Sequence, residues 1–161
     1  MERLWAPWRM EYITEEPRPG CLFCRVIEHP DDKDAALVVW RPEGAIVLLN
    51  KFPYNPGHAM VAPVAHMGAL EELDDAQTAH LMRALKRTVV VLKDSLKPEG
   101  FNIGANIGRV AGAGMPDHVH LHVVPRWSGD TNFMPAVGEV KVVNEHLLKT
   151  AAKLSEAFSP S

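Results

Sequence analysis

The stretch DHVHLHVVPRW, residues 117–127, sets His118, His120 and His122 at alternate positions, interleaved with Val119, Leu121 and Val123. Apolar residues at every second place favour an extended strand whose side chains alternate between two faces. The three imidazoles then share one face, roughly 6.6 Å apart along the chain. Such a row could be a solvated polar face, a metal site, or a catalytic row lining an elongated polyanion. Imidazole changes charge near neutral pH, so three in register point to chemistry. The second candidate group is Cys21 and Cys24, in PGCLFCRVIE, and with no other cysteine in the chain a disulfide framework is excluded. A redox pair of this spacing needs a strand leading into a helix, and the preceding TEEPRPG is turn-rich. Half of a zinc site is the better reading. Zinc then needs two more ligands, and the eight histidines are the pool.

The elements that must position these groups follow from pattern. ALVVWRPEGAIVLLNKFP reads as strands over about 36–41 and 45–50, joined by a tight turn at RPEG. NPGHAMVAPVAHM holds another short strand between proline-bearing loops. A long helix runs from Asp74 to about Leu96, with Asp74 or Asp75 as its cap and Leu81, Leu85, Val89, Leu92 and Leu96 as one buried stripe. FNIGANIGRV alternates as a strand, AGAGMPD is a loop, and KVVNEHLLKTAAKLSEAF predicts a C-terminal helix. Mostly strands, one inserted helix and no βαβ repetition predict an α+β domain with an antiparallel sheet. Residues 1–20 read as an N-terminal arm whose Trp5, Trp8 and Tyr12 pack on a core or a partner subunit, and residues 21–161 as a single domain.

With 161 residues, 47% of them hydrophobic, the chain has enough material for one substantial core. A formal net charge of -3 argues against a nucleic-acid partner held by bulk charge and leaves phosphate binding to local devices. No apolar run approaches a membrane span, and MERLWAPWRMEY lacks the apolar segment of a secretory signal, so the expectation is a cytoplasmic protein with no membrane partner.

HVHLHVV has the pattern His-φ-His-φ-His-φ-φ, and the chain resembles the histidine-triad (HIT) superfamily of nucleotide hydrolases and transferases. NKFPYNPGHAMVAP is similar to that family's earlier nucleotide-binding segment, with Asn50 eight positions before His58. The order of helix, strand and glycine-rich loop extends the likeness over about residues 21–127. LWAPWRMEYI and PRWSGDTNFMP resemble the bacterial branch related to diadenosine tetraphosphate phosphorylases and hydrolases. The resemblance implies a HIT-like fold of about five antiparallel strands with one long and one C-terminal helix, a homodimer, and a small-molecule nucleotide substrate. It makes His120 the nucleophile on the α-phosphorus, with a main-chain carbonyl expected to orient the ring, and His122 and His58 contacts to phosphate oxygens. Asn50 would take the ribose hydroxyls. Leu48 and Met60 could sandwich a purine, although core packing is the stronger reading for each. Glycines 108, 112 and 114 would admit a phosphate to main-chain N–H groups, with Asn106 adding an amide. Relatives often carry a Gln-Ser, Gln-Thr or Gly-Ser pair just before the triad where this chain has Ala113, Gly114 and Met115, so main-chain donors must suffice there.

Some relatives bind zinc through such a cysteine pair, a histidine after the Pro-Gly-His segment, and the first triad histidine. Here these are Cys21, Cys24, His66 and His118. Two cysteines and two histidines close a four-ligand site, which suits structure and not water activation. The pattern assigns no residues to magnesium, and His29, His80 and His146 are expected at the surface. The favoured function is cleavage of a dinucleoside polyphosphate through a nucleotidyl-histidine, with water or phosphate as acceptor. A purine nucleoside phosphoramidase would use the same residues. The competing classes are an enzyme whose triad itself holds a catalytic metal, and a zinc-stabilised nucleotide-binding module without turnover.

Overall fold

The computed structural model describes residues 19–130 and 146–159. Five strands form one antiparallel sheet in the order β1-β2-β3-β5-β4: β1 is Val38–Trp40, β2 Ala45–Leu49, β3 Ala59–Pro63, β4 Gly100–Gly104 and β5 Leu121–Arg126. The helices are α1 (Leu22–Glu28), α2 (Asp75–Leu96) and α3 (Leu147–Phe158). Nearly all of the expected arm, residues 1–18, lies outside the described residues, as does the start of the C-terminal segment before residue 146.

Strands β2 and β3 are buried at every position because both faces of the sheet are covered. On one face Val47, Leu49, Ala59 and Val61 pack with Leu81, Leu85 and Leu92 of α2 and with Leu154 and Phe158 of α3. On the other, Ile46, Leu48, Met60 and Ala62 pack with Phe23 and Val26 of α1. The sequence reading missed α1, although Phe23, Val26 and Ile27 carry a one-sided helical spacing. The long helix begins where expected: Asp74 Oδ1 accepts from Gln77 N at 2.8 Å and Gln77 Oε1 accepts from Asp74 N at 3.0 Å. This reciprocal cap satisfies two donors the first turn would leave open.

Strand β5 is shorter than its alternation predicts. It starts at Leu121, so His118 and His120 precede the paired ladder. The reason lies in its neighbours. β3 ends at Pro63 and its pairing with β5 stops at Val61↔Leu121, while β4 stops at Gly104↔His122. β3 runs two residues past that last pair, but Pro63 has no N–H and its carbonyl accepts from the His118 side chain, so the ladder does not continue through residues 118–120. That segment is instead held by Val119 N donating to Met67 O at 2.7 Å.

Candidate active site and metal cluster

The pairing of Met60 with His122 places the histidines on the sheet face that carries α1. His118 and His120 are 0% and 6% exposed, and the Phe23 ring lies 4.9 Å from each, tilted about 40°. His120 and His122 meet edge to face at 4.9 Å. The row is therefore continuous although only its last member belongs to the ladder.

Hydrogen bonds fix which nitrogen of each ring is available. His120 Nδ1–H donates to His118 O at 2.9 Å, leaving Nε2 with its lone pair. Burial pushes the His120 pKa down, which favours the neutral, nucleophilic form. His58 Nδ1 accepts from Tyr54 N at 3.0 Å, so its proton sits on Nε2 and donates to His122 Nδ1 at 2.9 Å. His122 in its neutral form must then carry its own proton on Nε2, the nitrogen left for a substrate. Burial, then the neighbouring His120, lower the His122 pKa.

This chain of bonds shows where His58 sits. The residue is 0% exposed, Tyr54 stacks on it at 5.0 Å, and both ring nitrogens are engaged. Its ring contacts are Tyr54 N and His122 Nδ1. The Pro-Gly-His context has a packing cause: Gly57 has φ +76, and a Cβ there would collide with Leu96 Cδ1.

The remaining sequence candidates are placed less centrally. Asn50 directly follows β2, its N–H donating to His58 O at 2.8 Å and its Oδ1 accepting from Phe52 N at 2.9 Å. That leaves its amide N–H groups as the part suited to a ribose oxygen. Leu48 and Met60 are 1% and 7% exposed within the smaller core, which is the packing role weighed for them. Asn106 and Gly114 lie in the exposed loop before the triad, and Asn106 Nδ2 donates to Gly112 O at 3.4 Å. Neither is hydrogen-bonded to a triad histidine among the described residues. Gly108 and Gly112, with φ +82 and +84, make the turns that residues with a Cβ resist. His29 and His146 are exposed, as expected, whereas His80 is half-buried against Gly44. Phe23, which backs two of the three triad rings, was not among the sequence candidates.

The second cluster adjoins the first. Ligand atoms of Cys21, Cys24, His66 and His118 all lie within 4.8 Å of one another. Cys21 Sγ is 3.3 Å from His118 Nδ1, Cys24 Sγ is 3.1 Å from His66 Nδ1, and the two Nδ1 atoms are 3.3 Å apart. Ligand atoms around tetrahedral zinc stand about 3.3–3.8 Å apart, given Zn–S near 2.3 Å and Zn–N near 2.0–2.1 Å. The donor set fits in its chemistry too. His118 Nε2–H donates to Pro63 O at 2.9 Å, which turns the Nδ1 lone pair toward the cysteines, and burial keeps the ring neutral. Burial and then Cys21 push the Cys24 thiol up to about 11, so a bound metal must displace that proton. These four residues could bind zinc in a closed structural site.

Known proteins resemble this chain in sequence and fold. The model of the HIT domain matches residues 32–129. The AP-4-A phosphorylase of Mycobacterium tuberculosis (strain ATCC 25618 / H37Rv) is 38% identical over 168 residues, spanning 99% of this chain and 85% of its own length. A histidine triad nucleotide-binding protein from Sulfolobus tokodaii superposes with TM-score 0.69 at 28% identity, over 85% of this chain and 91% of its own. A zinc-bound histidine triad family protein from Mycobacterium smegmatis does so with TM-score 0.69 at 26% identity, over the same shares.

Proposed function

Because this chain belongs to the HIT domain family, we propose that it is a nucleotidyl hydrolase or phosphorylase that cleaves dinucleoside polyphosphates such as diadenosine tetraphosphate. The observation that carries this reading is the His120 Nδ1–H bond to the His118 carbonyl, which leaves a buried, neutral Nε2 as the nucleophile. Nε2 attacks the α-phosphorus, the N–P bond forms, and the bridging P–O bond breaks with its electron pair going to the departing phosphate. The positive charge that develops on the imidazole is stabilised through Nδ1–H and the carbonyl. His122 Nε2–H donates to a phosphate oxygen as charge builds there, its orientation held by His58. An oxygen of water or inorganic phosphate then attacks phosphorus, the N–P bond breaks, and the ring is restored. Asn50 takes the ribose, and Asn106 with the Gly108–Gly114 main chain takes the polyphosphate. Zinc, when bound by Cys21, Cys24, His66 and His118, supplies a cross-link and no reacting group. It holds the very residue whose carbonyl orients the nucleophile.

The chain's remaining features support a finer picture. We assign the catalytic domain to residues 21–161. Among the described residues no helix is long and apolar enough to cross a membrane, and we place the protein in the cytoplasm. The open edge of β4 exposes Ile103, and α2 exposes Met82 and Val90, which suits a homodimer built on that side. A monomeric mass at micromolar concentration would refute the dimer.

Incubation with diadenosine tetraphosphate, with and without phosphate, tests the function directly. Phosphate-dependent ADP plus ATP identifies a phosphorylase, and AMP plus ATP a hydrolase. His120→Ala should abolish turnover and keep the zinc. Loss of zinc in that variant would favour a triad-bound catalytic metal, and unchanged function a binding module. Turnover of adenosine phosphoramidates alone would place the protein with the phosphoramidases.

A further inference from the structure

We propose that Asn55 and Asp130 are positioning residues that set the His58–His122 pair from outside the reaction site. Asn55 lies in the turn between β2 and β3, and its main-chain O accepts from His58 N at 3.0 Å. Its side chain reaches across to the end of the triad strand. There Nδ2 uses both hydrogens, one to Pro125 O at 2.9 Å and one to Asp130 Oδ2 at 2.7 Å.

Asp130 is itself held rigidly. Arg126 donates to it twice, Nε to Oδ2 at 2.6 Å and Nη2 to Oδ1 at 2.8 Å, and Trp127 N donates to Oδ2 at 3.1 Å. Two parallel charge-assisted bonds fix the carboxylate plane as a neutral contact would not. The Asp130 side chain is 12% exposed, so the carboxylate is shielded on its own side although the Arg126 guanidinium still meets solvent.

The consequence runs through geometry. Tyr54 N fixes the His58 tautomer and Asn55 O fixes the His58 backbone. Both belong to the turn that the Asn55 amide staples to β5. His122 stands on β5 itself, four residues before Arg126. The staple therefore ties the support of His58 to the strand of His122 and holds their 2.9 Å bond in register. Small displacements of such a bond are costly to catalysis, since misplacement by about 1 Å can lower a rate by about a hundredfold.

The inference rests on the reading of His122 as a substrate contact, and its test has one arm that needs no substrate. Ring nitrogens of histidine-labelled protein report tautomers by nitrogen NMR. Asn55→Ala should shift the His58 and His122 signals from their fixed tautomers toward exchange-averaged ones. It should also lower kcat roughly tenfold, with KM within about twofold and zinc content unchanged. Asp130→Asn, which keeps shape but weakens the Arg126 clamp, should do the same to a smaller degree. Asn102→Ala removes only the acceptor of Arg126 Nη1 and should leave both readouts at wild type. Unchanged ring signals in Asn55→Ala would overturn the proposal, as would an equal response from Asn102→Ala. If the wild type turns over no dinucleoside polyphosphate, the reading of function fails while the ring signals still decide the positioning role.

Discussion

Replacing Phe23 tests whether the triad depends on α1. The Phe23 ring is 1% exposed, packs with Val26, Ile46, Leu48 and Met60, and lies 4.9 Å from both His118 and His120. Phe23→Ala removes a buried aromatic and leaves a cavity, which costs about 3–5 kcal/mol. For a chain of this length each kcal/mol lowers Tm by about 2–4 °C, so the expected fall is about 6–20 °C. Phe23→Leu separates packing from orientation. It keeps most of the volume and costs about 1–2 kcal/mol once the ring contacts are included. Its Tm should fall by about 2–8 °C. Yet kcat on diadenosine tetraphosphate should drop on the order of tenfold, because nothing flat then backs the imidazole that attacks. The assay is thermal unfolding followed by circular dichroism beside steady-state kinetics, with zinc measured on the same samples. Wild-type kcat in Phe23→Leu would refute the claim that the ring orients His120. A Tm within about 2 °C of wild type in Phe23→Ala would refute the claim that it is core.

Elemental analysis should find one zinc per chain, and Cys24→Ala should lose the metal, lower Tm and reduce kcat, since His118 carries both a ligand nitrogen and the carbonyl that holds His120. Asp74→Ala breaks the helix cap and should cost about 1 kcal/mol in urea unfolding with kcat unchanged, because the Asp74 side chain bonds Gln77 and no histidine of the triad. The half-buried His122 has a lowered pKa, so as pH falls the unfolded chain takes up its proton first, near pH 6.5. The stability this group contributes is present above that pH and is lost as pH falls through the lowered folded value. His122→Asn should accordingly lose less stability than wild type between pH 7.5 and 5, and an equal loss would refute the assignment.

Much of the molecule is legible in its residues because the relevant physics is local. Alternation in AIVLL and AMVAP, the Asp74 cap and the leucine stripe of α2 report conformation and the buried face within one element. The spacing of three histidines and of Cys21 with Cys24 limits the chemistry in the same way, since only certain side chains can bind zinc or attack phosphorus near pH 7. What local pattern cannot carry is which atom meets which. The expected strand through His118 and His120 stops short because Pro63 on the neighbouring strand has no N–H and its carbonyl takes the His118 side chain, while β4 has ended at Gly104. That His58 meets His122 is not readable in the sequence, because the residue that takes its Nε2 is 64 positions away. Phe23 gains two imidazole faces only when α1 folds onto the sheet. The sequence by itself determined the kind of groups and the elements that bear them. The tertiary structure alone decided which ring nitrogens are spent on holding the site and which remain for the substrate, because a hydrogen bond is settled by distances between residues far apart in the chain.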